Sequence, residues 1–199
     1  MNATTRRRTS ERGYSLIEML VVVGIVGVVT AMAVSTSLGA SRLLGDARGI
    51  KNQLSLSRMQ AAANFTKARL YVDLIARTYR IQTWQTTPIP AWVTQGGTSH
   101  LSSMAVFGFG AVAAPPTGTQ ATIAQAPVCT DDAGAAITNT ACILFNSRGI
   151  PVDASGAPTA VYAIYVTDGS DVFGTTVSAT SIVQLWKFNP NAPQPWIVQ

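Results

Sequence analysis

The chain has 199 residues, enough for one modest domain or a domain with an appendage. Only 12% of them are charged, while 47% are hydrophobic and the mean hydropathy is +0.25. An ordinary soluble domain is roughly a quarter charged, so this balance argues against a disordered chain and suggests that part of the sequence never meets water. One histidine and two cysteines leave too few ligands for a multi-ligand zinc site or an iron–sulfur cluster.

The net charge of +5 is unevenly placed. Residues 1–13 hold Arg6, Arg7, Arg8 and Arg12 against Glu11. Residues 42–80 hold Arg42, Arg48, Lys51, Arg58, Lys67, Arg69, Arg77 and Arg80 against Asp46 and Asp73. From residue 81 onward, Arg148 and Lys187 face five aspartates. The basicity thus flanks one hydrophobic segment and the remaining body is mildly acidic, which is not the profile of a domain that coats nucleic acid.

That segment runs from residue 19 to residue 41 without an ionisable side chain. As a helix it would reach about 34 Å at 1.5 Å per residue, enough to cross a hydrocarbon core of about 30 Å. It is too long for the apolar region of a cleaved secretory signal, about 7–15 residues. Arg6-Arg7-Arg8 lacks the surroundings of a twin-arginine address. Glu18 does not suit a plain anchor: a lone carboxylate in an apolar helix costs up to about 2.5–3.5 kcal/mol, less near an interface. No cation lies within a helical turn on its C-terminal side, and the default expectation is a functional partner.

The run Arg12-Gly13-Tyr14-Ser15-Leu16-Ile17-Glu18-Met19-Leu20-Val21-Val22-Val23 resembles the class III signal of type IV pilins and type II secretion pseudopilins, with a likeness that covers about residues 6–38. The resemblance implies that a prepilin peptidase cuts after Gly13, that the new N-terminal residue Tyr14 is N-methylated, and that Glu18 acts in assembly. In a filament, Glu18 of one subunit would sit beside the Tyr14 amine of a neighbour. Such a pair attracts strongly in a low-dielectric core, and each member is costly alone, so it would set axial register more than it adds stability. Gly24, Gly27 and Ala31 offer small faces for close helix approach. Ser35 stands where many members of the family it resembles carry a proline, so the resemblance does not carry over a kink there. Because Arg42, Arg48 and Lys51 follow the apolar run, the positive-inside bias is slight. An inside leader and outside body are what the resemblance implies.

Beyond the apolar run, Leu43, Ala47, Ile50, Leu54, Ser57, Ala61 and Phe65 recur at steps of three or four, an amphipathic stripe that predicts a helix ending near Ala63 or Asn64. The period then changes to two. Residues 68–75 and 78–84 predict a β-hairpin joined tightly at Ala76-Arg77. Pro88, Pro90 and Gly96-Gly97 mark loops before a predicted strand at 102–109, and 110–140 reads as a long surface loop. Strands are predicted at 141–146, 159–167 and 176–188, while 189–195 is too proline-rich for a central strand.

The expected fold class is α+β: a long N-terminal helix, half membrane-embedded and half packed, on an antiparallel β-sheet domain, which is the pilin-like architecture the N-terminus implies. The expected organisation is a cleaved leader (1–13), a transmembrane and polymerisation helix (14–41), its amphipathic continuation (42–64) and a periplasmic β domain (65–199). Leu144-Phe145-Asn146-Ser147-Arg148-Gly149-Ile150-Pro151 and Met59-Gln60-Ala61-Ala62-Ala63-Asn64 resemble elements of the H-type pseudopilin and FimT-like minor pilin group. The Gly-Arg-x-Arg element common in that group is missing: the comparable strand reads Ile182-Val183-Gln184-Leu185-Trp186-Lys187.

Cys129 and Cys142 enclose twelve residues. In an oxidising periplasm a disulfide is the natural reading, with two buried thiols as the alternative. His100 stands alone among Ser and Thr, and no nucleophile elbow, zinc-protease or Walker spacing occurs. Asp131-Asp132 and Asp168-Gly169-Ser170-Asp171 each offer few carboxylates for calcium, and tight turns explain them as well. No catalytic residue, metal or cofactor is expected. The resemblance points to a minor pilin or pseudopilin in the inner membrane, then in a pilus or pseudopilus. Its partners would be other subunits through the N-terminal helix, the prepilin peptidase and the inner-membrane assembly platform. The alternative is a DNA-binding minor pilin, with Arg58, Lys67, Arg69, Arg77 and Arg80 on phosphates and Trp84 stacking. The acidic later half and the missing Gly-Arg-x-Arg weigh against it.

Overall fold

A computed structural model describes residues 15–159 and 161–199, leaving aside the side chains of residues 31–40. The chain divides into two compact units, the first ending at Leu38 and the second Gly39–Gln199. One helix, α1, runs Leu16–Ala63. Ser15 caps it: its Oγ accepts the Glu18 N–H at 3.2 Å, and Ser-x-x-Glu has the spacing of a capping box.

In the second unit the predicted stripe is buried. Leu43, Ala47, Ile50, Leu54 and Ala61 enter the main core cluster, and Ser57 is buried with its hydroxyl donated to the Gln53 carbonyl at 2.8 Å. The stripe stops short of Phe65, which is 85% exposed. Phe65 takes the left-handed conformation at φ +50°, and the Thr66 N–H returns to the Ala61 carbonyl, closing the helix end. The terminating conformation therefore falls on Phe65, not on Asn64, and turns its ring off the stripe.

The strands are β1 (Ala68–Asp73), β2 (Thr78–Gln85), β3 (Ala91–His100), β4 (Val106–Phe107), β5 (Cys129–Thr130), β6 (Ala136–Ile137), β7 (Thr140–Phe145), β8 (Pro151–Val152), β9 (Val161–Thr167), β10 (Val172–Ser178), β11 (Val183–Phe188) and β12 (Trp196–Val198). They form a five-stranded sheet in the order β3-β2-β1-β7-β8, a second in the order β12-β11-β10-β9-β4, and the small pair β5-β6, all antiparallel. The architecture is α+β, with the helix packed on antiparallel sheets.

One core serves both sheets. Leu70, Val72, Ile143 and Phe145 of the first sheet and Ile164, Val166, Phe173, Val177 and Leu185 of the second join the helix stripe in it. The outer faces are covered too. Tyr165 and Trp196 on the second sheet pack with Val112, Phe109 and Ile123. Tyr71 on the first packs with Cys129, Cys142 and Ile137.

Several expectations need correction. The first hairpin turns through four residues, 74–77, because Asp73 Oδ1 accepts the N–H groups of Ile75 and Ala76 and Arg77 takes φ +55°. Residues 91–100 form an edge strand, where an edge position and a register irregularity tolerate Gly96-Gly97. The predicted strand at 102–109 shrinks to β4, since residues 102–105 turn, with the Ala105 N–H on the Ser102 carbonyl. The 110–140 stretch is not merely surface loop: Val112 and Ala126 are buried and β5-β6 forms a ribbon. The predicted strand at 176–188 is two strands, parted by a turn in which Ser181 takes φ +64°.

Candidate functional site

The start of α1 is the first candidate. Leu16, Ile17, Met19, Leu20, Val21, Val22, Val23, Ile25, Val26, Val28 and Val29 are all exposed, from 81% at Leu16 to 50% at Val22. Consecutive positions cover every side of a helix, so this part is apolar all round, unlike the one-sided stripe after residue 41. Glu18 lies in the first turn, where the helix dipole and the Ser15 cap suit a carboxylate. Local chemistry therefore supplies part of the compensation that the sequence left open. A Cβ at Gly24 or Gly27 would meet nothing within 4 Å. Gly13 and Tyr14 lie outside the described residues, as do the side chains of Ala31 and Ser35. Among the described residues no helix is long and apolar enough to cross a membrane. The expected span 14–41 falls partly outside them.

The basic residues form a second candidate, and the structure gathers only some of them. Along β1, Arg69 and Tyr71 point opposite to the core-facing Leu70 and Val72; across the ladder they meet Gln82 and Arg80. The Arg80 guanidinium lies 4.2 Å from the Tyr71 ring centre, and that of Arg69 lies 4.0 Å from Trp92 and 5.5 Å from Tyr71. Trp92 in turn meets Trp84 edge-on at 5.2 Å. The result is a row on the outer face of the first sheet: Arg80, Tyr71, Arg69, Trp92, Trp84.

Arg69 is only 4% exposed. Its Nε donates to Gln82 Oε1 at 2.8 Å and its Nη1 to the Thr130 carbonyl at 2.6 Å. Burial pulls its pKa down to about 10, partly opposed by Tyr71 and Asp132. Arg58 and Arg77 are apart from the row: Arg58 donates to the Ser181 carbonyl at 3.0 Å, and Arg77 to the Ser103 carbonyl at 2.9 Å. Lys67 is exposed.

Cys129 and Cys142 are joined in a disulfide with Cα atoms 5.0 Å apart. The bond ties the segment carrying β5-β6 to strand β7, over the row. Asp132 of that segment accepts the Trp92 N–H at 2.8 Å.

Asp131 and Asp168 serve turns. Asp131 Oδ1 accepts the N–H groups of Ala133 and Ala135, and Asp168 Oδ1 those of Ser170 and Asp171. Asp171 pairs with Lys187 at 3.4 Å. Among the described residues no group of three or more His, Cys, Asp or Glu side chains could hold a metal ion. His100 is exposed at the end of β3.

Sequence reasoning missed Trp92 and Tyr71, and weighed Asp132 only for calcium or a turn, not as a partner of the Trp92 N–H. The alternation Ala91-Trp92-Val93-Thr94-Gln95 was a strand signal, masked by the prolines before it and the glycine pair after it.

The chain matches the prokaryotic N-terminal methylation motif over residues 8–34. No curated protein matches it. Two solved structures of the minor pseudopilin EpsH from the Type 2 Secretion System of Vibrio cholerae are similar to it. One is 9% identical with a TM-score of 0.46, covering 76% of this chain and 99% of that one. The other is 11% identical with a TM-score of 0.44, covering 73% and 93%.

Proposed function

We propose that this chain, which carries the prokaryotic N-terminal methylation motif over residues 8–34, belongs to the type IV pilin and pseudopilin superfamily and is a minor structural subunit of a type II secretion pseudopilus or a type IV pilus. The observation that carries the reading is the first part of α1, exposed and apolar on every side around a single carboxylate. Such a helix needs an apolar surround: first the bilayer, then neighbouring helices in a filament. In this reading a prepilin peptidase cuts after Gly13, and the Tyr14 amine is methylated. Glu18 then meets that amine on the adjacent subunit. The leader is cytoplasmic, the helix spans the inner membrane once and the β domain is periplasmic. The domain limits are those of the sequence, 1–13, 14–41, 42–64 and 65–199. The subunit catalyses nothing; the peptidase, the methyltransferase and the assembly platform are separate proteins.

Sequencing the mature protein from cells tests this directly. The expected start is methylated Tyr14, and an intact Met1 sinks the reading. Glu18→Ala should enter filaments at about a tenth of the wild-type level or less, the order of effect of leaving one buried charge unpaired. Wild-type incorporation removes the register role.

A second reading, DNA binding in uptake, is favoured by the Arg80–Tyr71–Arg69–Trp92–Trp84 row and the exposed Lys67. Guanidinium–aromatic rows suit single-stranded nucleic acid. Burial of Arg69 counts against it. Binding of the full chain to DNA that stays weaker than about millimolar at low salt ends this reading.

A further inference from the structure

We propose that the Cys129–Cys142 disulfide is a redox latch on a strap, residues 127–139, whose release uncovers the cation–aromatic face of the first sheet while leaving the shared core folded. The inference does not depend on the filament reading.

Apart from its sulfurs the strap is held by hydrogen bonds near its ends and by a small apolar cluster; near its C-terminal end the Leu74 N–H donates to the Asn139 carbonyl and the Thr140 hydroxyl to the Ile137 carbonyl. Its ties to the body include the Cys142 N–H on the Pro127 carbonyl at 2.7 Å and the Cys129 N–H on Thr140 Oγ1 at 2.9 Å. Arg69 and Trp92 reach it through Thr130 and Asp132. The Asp131 turn and the β5-β6 pairing are internal to the strap, so they travel with it. Its apolar anchorage is a small cluster of Tyr71, Cys129 and Cys142 with Ile137 against it, separate from the main core; Val128 is exposed. Cys142, by contrast, belongs to β7 and pairs with Tyr71 of β1 inside the sheet. Breaking the sulfur–sulfur bond therefore frees Cys129 while Cys142 stays in the sheet, and the strap remains hinged at the buried Ala126 and at Thr140 of β7.

What lies beneath is unlike an ordinary covered face. Arg69 is buried, yet its hydrogen-bond partners, Gln82 Oε1 and the Thr130 carbonyl, are neutral, and it stacks on Trp92. The one ion pair among the described residues is Lys187 with Asp171, on the other sheet. Asp132, the carboxylate that acts on Arg69 through space, comes from the strap, as does Asp131. With the strap closed, Asp132 is the strap carboxylate that acts on Arg69, while Asp131 Oδ1 is taken by its own turn. Once the strap opens, Asp132 leaves, and the cations remain beside Tyr71, Trp84 and Trp92. The latch thus changes the charge of the face as well as its access. Opening consumes two electrons and two protons from a dithiol reductant, which becomes a disulfide as Cys129 and Cys142 become thiols.

The test uses the full-length chain in detergent, oxidised or reduced with dithiothreitol, followed by hydrogen exchange and by phenylglyoxal labelling of arginine. Reduction should speed exchange of the Trp92 amide by about tenfold or more and should turn Arg69 from protected to labelled. The amides of β9 and β10 should keep their rates. The Cys129→Ser/Cys142→Ser variant should show the same pattern without reductant. A reduced chain with Arg69 still protected and Trp92 unchanged overturns the proposal. So does exchange in β9 and β10 that rises with the strap, or a double variant that fails to fold, since the bond would then support the core itself.

Discussion

The two parts of α1 use similar residues to opposite ends. Residues 16–29 are rich in Val, Ile and Leu and expose them on all sides; residues 43–61 place Leu43, Ala47, Ile50, Leu54 and Ala61 on one side and bury them almost fully. The difference lies in pattern, not in hydrophobicity. A helix with polar residues on its other faces can fold onto its own domain, because one side is wet and one dry. A helix without a polar face gains nothing by turning any one side inward and is stable only where its whole circumference is apolar. Intramolecular packing is thus encoded in the second part, and the first is suited to an environment outside the chain.

The largest expected effect separates these roles. Leu54→Ala should destabilise the β domain by about 2–5 kcal/mol, because it opens a cavity in the core that both sheets share. Val22→Ala removes a side chain that is half exposed. It should leave the domain's stability within about 0.5 kcal/mol, as surface changes do, while lowering filament incorporation. Thermal melts of both variants beside an assembly assay check this. A destabilised Val22→Ala domain would mean that the first part packs on its own chain after all.

Glycines sharpen the comparison at smaller cost. A Cβ at Gly49 would lie 2.5 Å from the hydroxyl of the buried Tyr79, whereas at Gly45, one turn earlier, it would meet nothing within 4 Å. Gly45→Ala should therefore stabilise by up to about 1 kcal/mol through helix propensity. Gly49→Ala should lose about 1–2 kcal/mol, since overpacking outweighs the same gain. In the first part, Gly24 and Gly27 are as open as Gly45, and Gly27→Leu should spare the melting temperature yet block close helix approach in a filament. Denaturant unfolding gives the sign of each. Two alanines of equal sign at 45 and 49 would mean that Tyr79 does not crowd Gly49.

The helix was legible in the sequence because its first part is an unbroken apolar run and its second carries a stripe at steps of three or four from Leu43 to Ala61. So were β1 and β2, with their period of two, and β7, a short apolar run. The cation–aromatic row was only half visible. Arg69 and Trp84 carried signals of their own, but the row exists only through the pairing of β1 with β2 and of β2 with β3, and β3 was hidden by its glycines. Long-range register places Trp92 beside Trp84, and nothing local announces it. The strap was obscured for a related reason. Residues 127–139 are poor in apolar periodicity because their covering is done by a disulfide and a few side-chain hydrogen bonds.

Titration distinguishes the two parts of the helix last and most gently. Tyr79, lodged beneath Gly49, has its pKa raised above 10, chiefly by burial and further by Asp46, with a hydrogen bond to Ser99 pulling the other way. Tyr165, buried in the second sheet's outer cluster, is also raised by burial. A phenol whose folded pKa exceeds its unfolded one keeps more protons in the native state. Its contribution is therefore complete below about pH 10 and is lost as the pH climbs through the folded value. Arg69, lowered to about 10, acts in the opposite sense, since the unfolded chain binds the extra proton above about pH 10. The two phenols therefore weaken the domain in alkali, and the guanidinium opposes them. Tyr79→Phe and Tyr165→Phe should each flatten that fall, and Arg69→Met should steepen it. Melting temperatures between pH 8 and pH 11 measure all three. The first part of α1 contains no phenol or guanidinium between residues 16 and 30, so Val22→Ala should leave the alkaline limb unchanged. A shift there would couple the exposed helix to the core chemistry and undo the division on which the comparison rests.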